Sequence, residues 1–464
     1  MTLNEKIQKY LINSSDKIKI NTKDIKKNDV FIALQGTNIH GNEFIYEALN
    51  VGAKYVITDK KFSQISFNKQ ILLVENTFIF IEELSIKKRS LYHGEVIGIT
   101  GSAGKTSLKE NLKFFLDKKF IVSASIKSYN NKLGVMISIL NMNINSHFAI
   151  FEIGTNNFFE IRDLTKLVQP SQIFISNILS THLEKFKTKN NIAKEKSDIF
   201  CKKYNPLAKT LYLQKNTKEE EILENLAKQQ KLNKIISIGK NKVDCFIDNI
   251  KYIQTYYQLN IKILKKNVKI NLDKYEEYKV TNLIFVLTFF IVNKISTEII
   301  IKNLRKIPLI EGRGSIHNIL FNGLNIKLID HSYNANPETM LQSIKNFSLF
   351  NKSGSKKILI LGNMNELGLK SVNFHFRIIK EVERHAFDKV ILSGNFFKKA
   401  LSMFKELKKG YSLVRTITED DSLYDFSDYD EKLLLTNEEV TGKWFDVLIN
   451  AKSLEPECYS NGFL

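Results

Sequence analysis

Thr100-Gly101-Ser102-Ala103-Gly104-Lys105-Thr106-Ser107 follows directly on the apolar run Val96–Ile99 and opens a helical pattern. Glycines let backbone N–H groups approach phosphate oxygens, and the start of a helix adds the positive end of its dipole. Lys105 can then reach the β- and γ-phosphates of a nucleotide, and the Thr106 hydroxyl can hold Mg²⁺. The strict spacing G-x-x-x-x-G-K-[ST] is missed by one position, because Ile99 stands where the first glycine belongs and Gly98 precedes it. A glycine turn that only caps a helix is the plainer reading. The buried strand before GKT and the helix after it favour a nucleotide site.

Further along, Glu152 closes the run FAIFEI (148–153), and Asn177 and His182 lie at and just after the end of QIFISN (172–177). Ligands of open parallel sheets gather at the carboxyl ends of strands, so these residues and the glycine loop can converge on one crevice. Glu152 offers hard oxygens suited to Mg²⁺; taken alone it is equally a solvated carboxylate, and His182 a histidine at a helix start. Asp330 ends the run IKLID (326–330) and leads into the loop His331–Asn336. Asn336 suits an N-cap and Pro337 the first helical position, which accounts for the Asn-Pro pair structurally. Tyr333 and Asn334 are left in a loop at a strand's carboxyl end, a position suited to nucleotide contacts.

Such a constellation needs parallel strands to hold it. VIGIT (96–100) as a strand, 105–118 as a helix, 148–153 as a strand, Glu160–Val168 as a helix and 172–177 as a strand form the alternation expected of βαβ units. The chain is therefore expected to be α/β in three domains. These are a small N-terminal α/β domain (1–86), a central P-loop ATPase-like parallel sheet (87–308) and a C-terminal Rossmann-like α/β domain (309–464). In the first, Val30–Leu34, Tyr55–Thr58 and Gln70–Val74 read as strands and Asn42–Val51 as a helix. Alternating segments between Val243 and Leu272 predict a small antiparallel patch, followed by helices at 279–292 and 296–305. In the third domain, strands are expected at 326–330, 357–362, 388–394 and 432–436, with helices from Pro337 and near 372–384. There is no solenoid repeat and no low-complexity linker.

Lysine and arginine number 69 against 49 aspartates and glutamates, a formal charge of +20. Lysines are spread through nearly every segment, so a solvated surface is expected and no nucleic-acid partner. The same field attracts anionic nucleotide substrates. With 43% hydrophobic and 25% charged residues the chain is globular in composition. Cys201, Cys245 and Cys458 have neither metal-ligand spacing nor a disulfide framework, which fits a reducing compartment. The N-terminus has no continuous apolar run of signal-peptide type, and Leu283–Val292 is shorter than the ~20 residues that span a bilayer. The expectation is a cytoplasmic protein without membrane insertion.

From its T-G-S-x-G-K-T loop onward, the chain resembles the Mur ligase family along nearly its whole length. SYNNKLGV (128–135) is similar to the family's S-x-N-N-x-x-G-V segment, FEIGTNNFFEIRDLTKLVQP (151–170) to its E-x-G-x-N-x-x-x-E-I segment, and SNILSTHLEKFKT (176–188) to its N-I-x-x-x-H-L-E segment. HSYNANPETM (331–340) and LGNMNELG (361–368) resemble the Y-N-A-N-P and L-G-x-M-x-E-L-G motifs of the branch that adds D-alanyl-D-alanine.

The resemblance implies an ATP- and Mg²⁺-dependent ligase with Lys105, His182 and Lys196 in catalysis and Thr106, Glu152, His182 and Lys196 at metal. Lys196, in NIAKEKSDIF, stands where related enzymes carry a lysine that CO₂ can carbamylate; by itself it reads as an exposed helix lysine. Asn282, Arg313, Asp330, Tyr333, Asn334 and Asn336 are implied at ATP, Arg313 as the fork that pairs with phosphate. Asn130, Asn131 and Asn156 are implied at substrate. Residues 27–53 resemble the family's UDP-binding module, with Asn21-Thr22-Lys23 in place of D-S-R and His40-Gly41-Asn42 in place of D-G-H, so Thr22 alone is carried over as a uridine contact. Other departures are Tyr278 where a His often precedes Asn282, His331 and Asn363 for common aspartates, and no recognisable K-G-S motif in KLLLTNEEVTGKW (432–444).

The implied reaction is phosphoryl transfer from ATP to the terminal carboxylate of UDP-N-acetylmuramoyl-tripeptide, then attack by the amine of D-alanyl-D-alanine. Closure of the third domain over ATP is expected, as is a monomer. The alternatives are another Mur or folylpolyglutamate-type ligase, a nucleic-acid-stimulated ATPase, and a nucleotide-binding descendant without catalysis.

Overall fold

The computed structural model describes residues 1–404 apart from 37–38, 60–68, 241, 322–323 and 350–355, together with the strands Tyr411–Val414 and Lys432–Thr436. Cys458 and the rest of the segment examined for K-G-S lie outside the described residues. Three sheets follow one another along the chain.

In the first, Ile18–Lys19, Val30–Ala33, Tyr55–Thr58 and Ile71–Leu73 pair in parallel in chain order. Helix Leu3–Asn13, which the sequence reading did not include, starts from a capping box between Thr2 and Glu5 and buries Ile7 and Leu11. Helix Thr77–Ser90 then carries the chain toward the second sheet. The boundary expected between 86 and 87 falls inside this helix, because no Gly or Pro interrupts residues 77–90 and the element crosses the junction unbroken.

That junction is built like an interior. Ile7, Leu11, Ile81 and Leu84 share one apolar cluster with Met136, Ile139 and Leu140 of helix Lys132–Asn141. Lys88 is fully buried, and its ammonium donates to the carbonyls of Leu11 (2.9 Å), Ser14 (2.8 Å) and Leu140 (2.6 Å). Three donors thus meet three acceptors at the carboxyl ends of two helices, where the dipoles favour a cation. Burial pulls the ammonium's pKa down to about 7. The Asn141 side chain takes both backbone groups of Ile18, at 2.8 and 3.0 Å.

The second sheet runs in the order Lys266–Leu272, Tyr256–Ile263, Cys245–Ile253, Lys234–Gly239, Thr210–Lys215, Gln172–Ile175, Glu95–Thr100, Phe148–Glu152, Val122–Ala124. From Lys234–Gly239 onward all neighbours are parallel. The antiparallel segment expected between Val243 and Leu272 is present, and it extends this same sheet. Helix Glu277–Val292 packs on one face, with every residue from Leu283 to Phe290 buried. Its apolar run is that of a core helix; among the described residues no helix is long and apolar enough to cross a membrane.

In the third sheet, Ser315–Phe321 pairs antiparallel with Leu324–Asp330, followed in space by Lys432–Thr436, Ile358–Leu361, Lys389–Ser393 and Tyr411–Val414, all parallel. Helices Pro337–Ser348 and Ser371–Val382 complete the alternation.

Candidate active site

Strand Glu95–Thr100 lies where the chain changes flank. Its successors Val122–Ala124 and Phe148–Glu152 lie on one side, and Gln172–Ile175 on the other. A crevice opens at the carboxyl ends of such strands. The loop there needs its glycines: Gly101 has φ 144° and a Cβ on it would stand 2.0 Å from Ser176 Oγ, while Gly104 has φ 80°. The loop is pinned from below. Ser102 N–H donates to the Asn177 carbonyl (3.0 Å), Ala103 N–H to Asn177 Oδ1 (2.9 Å) and Ser176 Oγ to the Ala103 carbonyl (2.6 Å). The first N–H groups of helix Lys105–Leu116 have no partner within that helix and are free to meet an anion.

Lys105 folds back to donate to the Gly101 carbonyl at 2.9 Å. Burial lowers its pKa, with Glu152 opposing the shift and Arg313 adding to it. Thr106 Oγ1 donates to Glu152 Oε2 at 2.7 Å, and Asn130 Nδ2 to Glu152 Oε1 at 2.8 Å. Lys109, buried in the same helix, donates to the carbonyls of Ser125 and Lys127 and so supports the segment that carries Ser128 and Asn130.

The C-terminal domain faces this loop. The Arg313 guanidinium stacks on the Tyr333 ring, 4.1 Å from its centroid, and the Tyr333 hydroxyl meets the Ser128 hydroxyl. Asn336 caps helix Pro337–Ser348 by accepting from Thr339 N–H at 3.0 Å. In that helix's first turn Glu338 accepts from Ser180 of the central domain. His182 Nδ1 meets the Glu366 carboxylate, and Glu184 N–H donates to the Glu366 carbonyl at 2.8 Å. Between the two domains lies a cavity of about 720 Å³, of the size of small-molecule sites.

From the central domain, Ser102 through Lys105, Ser107, Glu152, His182 and Asn282 line this cavity. Arg313, Tyr333, Asn334 and Asn336 line it from the C-terminal domain, and Asn130 and Asn156 stand on the same wall. Thr100 and Thr106 are buried and do not line it; Thr106 meets it through Glu152. Lys196 is 2% exposed behind the wall, and burial pushes its ammonium well below the usual lysine range, with Lys105 adding to the shift.

Asp330, Asn131 and Thr22 stand apart from the cavity wall. Asp330 accepts from the N–H groups of Ser332 (2.9 Å) and Gly312 (3.2 Å), so it joins the loops that present Arg313 and Tyr333 and lies outside the cavity wall. Asn131 caps helix Lys132–Asn141 by accepting from Gly134 N–H at 2.8 Å. Thr22 lies in a single turn, Thr22–Asp24, of the N-terminal domain, apart from the cavity. Among the described residues no cluster of three His, Cys, Asp or Glu side chains is gathered to hold a metal.

Of the departures, Tyr278 and His331 both line the cavity and stand near Gly314; burial lowers the His331 pKa to about 4, so it is neutral. Asn363 is buried and accepts from Phe396 N–H at 3.2 Å. Sequence reasoning passed over Lys109, Glu338 and Glu366, because a helix lysine and acids in exposed turns carry no local sign of what they meet across the fold.

Residues 99–289 match the Mur ligase middle domain. The chain is 33% identical over 432 residues to the UDP-N-acetylmuramoyl-tripeptide–D-alanyl-D-alanine ligase of Rickettsia prowazekii, covering 89% of this chain and 91% of that relative. Its fold is similar to a crystal structure of MurF from Acinetobacter baumannii, with a TM-score of 0.77 at 22% identity, covering 94% of this chain and 93% of that one. It is also similar to MurF ligase from Thermotoga maritima in complex with ADP, with a TM-score of 0.75 at 22% identity, covering 95% and 98%. The chain is therefore a Mur ligase, one of a class of ATP-dependent enzymes that close a C–N bond. Within that class it belongs to the family of UDP-N-acetylmuramoyl-tripeptide–D-alanyl-D-alanine ligases of peptidoglycan synthesis.

Proposed function

We propose that the chain binds ATP between its central and C-terminal domains and uses it to join D-alanyl-D-alanine to UDP-N-acetylmuramoyl-tripeptide. One observation carries this reading: the phosphate loop and the Arg313–Tyr333 pair face one cavity, so two domains can act on a single nucleotide. The peptide's terminal carboxylate attacks the γ-phosphorus, and ADP leaves. The amine of D-alanyl-D-alanine then attacks the resulting acyl phosphate at carbon, and phosphate leaves as the amide forms. Lys105 and Arg313 balance charge on the phosphates, and the loop N–H groups orient them. Asn130 and Asn156 are assigned to the peptide-bearing substrate, Asn131 to shaping their segment and Thr22 to the uridine end.

Thr106 and Glu152 fit Mg²⁺: hard oxygens suit that ion, and two of them already lie 2.7 Å apart beside the phosphate loop. Bound there it would offset charge on the transferred group. His182 and Lys196 complete the assigned metal set. For Lys196 the support is its burial, since an uncharged amine is the form that takes up CO₂. We read the enzyme as a cytoplasmic monomer.

With Mg-ATP, the purified protein is expected to release ADP and phosphate at a steady rate only when both UDP-N-acetylmuramoyl-tripeptide and D-alanyl-D-alanine are present. L-alanine, D-glutamate or diaminopimelate should not replace the dipeptide, because a shorter acceptor leaves polar groups of the site unpaired. Turnover with one of these on a shorter precursor would sink the substrate assignment.

A further inference from the structure

The C-terminal domain touches the cavity rim at a turn that also braces the phosphate loop. Ser102 Oγ accepts from Leu179 N–H at 3.0 Å and from the Thr181 hydroxyl at 3.1 Å. Ser102 N–H in turn reaches the Asn177 carbonyl at 3.0 Å. Loop and turn are thus one hydrogen-bonded unit. Ser180 sits in the middle of it, 5% exposed, and both of its donors go to one carboxylate: Glu338 accepts the hydroxyl at 2.7 Å and the N–H at 3.1 Å. Glu338 belongs to the other domain. It lies in the first turn of helix Pro337–Ser348, where the dipole favours an anion, two residues after Asn336 at the cavity wall.

We propose that Glu338 is a positioning residue: by taking both donors of Ser180 it latches the C-terminal domain onto the turn that braces the phosphate loop, and so sets Arg313 and Tyr333 over the nucleotide. The neighbouring contact between His182 Nδ1 and Glu366 is a second tie between the same two domains. Glu338 also lines the cavity, so the latch stands at its rim. A carboxylate that accepts from two donors is stronger than a neutral pair, and its removal leaves a buried hydroxyl and N–H without an acceptor. The inference rests on reading the cavity as the nucleotide site.

The test is a double-mutant cycle in the full chain. Glu338→Ala is expected to lower kcat/KM for ATP about tenfold or more, with Glu338→Gln, which keeps an acceptor oxygen, recovering part of the loss. Ser180→Ala should cost less, and Ser180→Ala with Glu338→Ala should be no worse than Glu338→Ala alone. Losses that multiply in the double variant, or a Glu338→Ala enzyme with unchanged kinetics, overturn the proposal. Small-angle X-ray scattering with ADP is a second arm that needs no ligation. The Glu338→Ala protein should have a larger radius of gyration than the unmodified chain, and equal radii overturn the latch. An unmodified chain that fails to ligate counts against the reaction assigned above, and the scattering still decides the latch.

Discussion

The two junctions of this molecule share one apolar cluster but are closed by different polar groups. Between the first and second sheets the contact is an apolar cluster running through Ile7, Leu11, Leu84 and Ile139, closed by a caged ammonium and by Arg89, which donates to the carbonyls of Val168 (2.6 Å) and Gln169 (3.0 Å). Around the cavity, the second and third domains meet through side-chain pairs, Ser180 with Glu338, His182 with Glu366 and Ser128 with Tyr333. A buried cation held by three acceptors keeps the first junction in one arrangement, whereas polar pairs at the rim of a cavity can separate into water. Closure over ATP is therefore expected at the second junction.

The largest expected effect tests the polar side. Lys105→Ala should lower ligation by about 10³-fold while leaving the thermal unfolding midpoint unchanged, because its side chain stands at the cavity and not in the core. Turnover retained in a folded Lys105→Ala protein would remove the loop from the chemistry. The apolar side should respond the other way. Lys88→Met takes the donor from two buried carbonyls and one part-buried carbonyl and is expected to cost about 3 kcal/mol in urea unfolding, with the rate per folded molecule kept. A variant as stable as the parent would mean that this junction is not built as an interior.

A smaller effect sharpens the contrast within the third domain. His375 is fully buried, accepts from Met364 N–H on Nε2 at 3.0 Å and pairs through Nδ1 with the Ser371 carbonyl at 2.7 Å, so it is the neutral tautomer protonated on Nδ1. Burial lowers its pKa to about 4. The unfolded chain takes up that proton near pH 6.5, so the stability is complete above that value and is lost as pH falls toward 4. By pH 5 the loss should reach about 2 kcal/mol. Hydrogen exchange of strands Ile358–Leu361 and Lys389–Ser393 between pH 7 and 5 measures it, and protection that does not change with pH contradicts it.

What could be read from the sequence follows the range of the interactions. Strand Glu95–Thr100, its glycine loop and helix Pro337–Ser348 were legible, because local pattern, cap and turn chemistry all agree within a few residues. Strand Ser315–Phe321 was not, since its place depends on antiparallel pairing with Leu324–Asp330. Nor was the joining of 245–272 to the central sheet, which turns on parallel pairing of Ile238 with Cys245. Asp330 and Asn131 carry motif positions, yet their side chains satisfy nearby backbone N–H groups first. Glu338 is indistinguishable from any first-turn acid until Ser180 arrives from another domain.

The buried ammonium of Lys88 has a geometric consequence. Its acceptors come from helix Leu3–Asn13 and helix Lys132–Asn141, one on each side of the first junction, so rotation there would strip a charge of its partners inside the protein. The first sheet and the phosphate loop accordingly keep one spacing. Under the proposed reaction, a precursor anchored by its uridine end at the first sheet delivers its other end to a set depth beside the γ-phosphate. In that reaction the frame works as a fixed gauge for the length of the peptide.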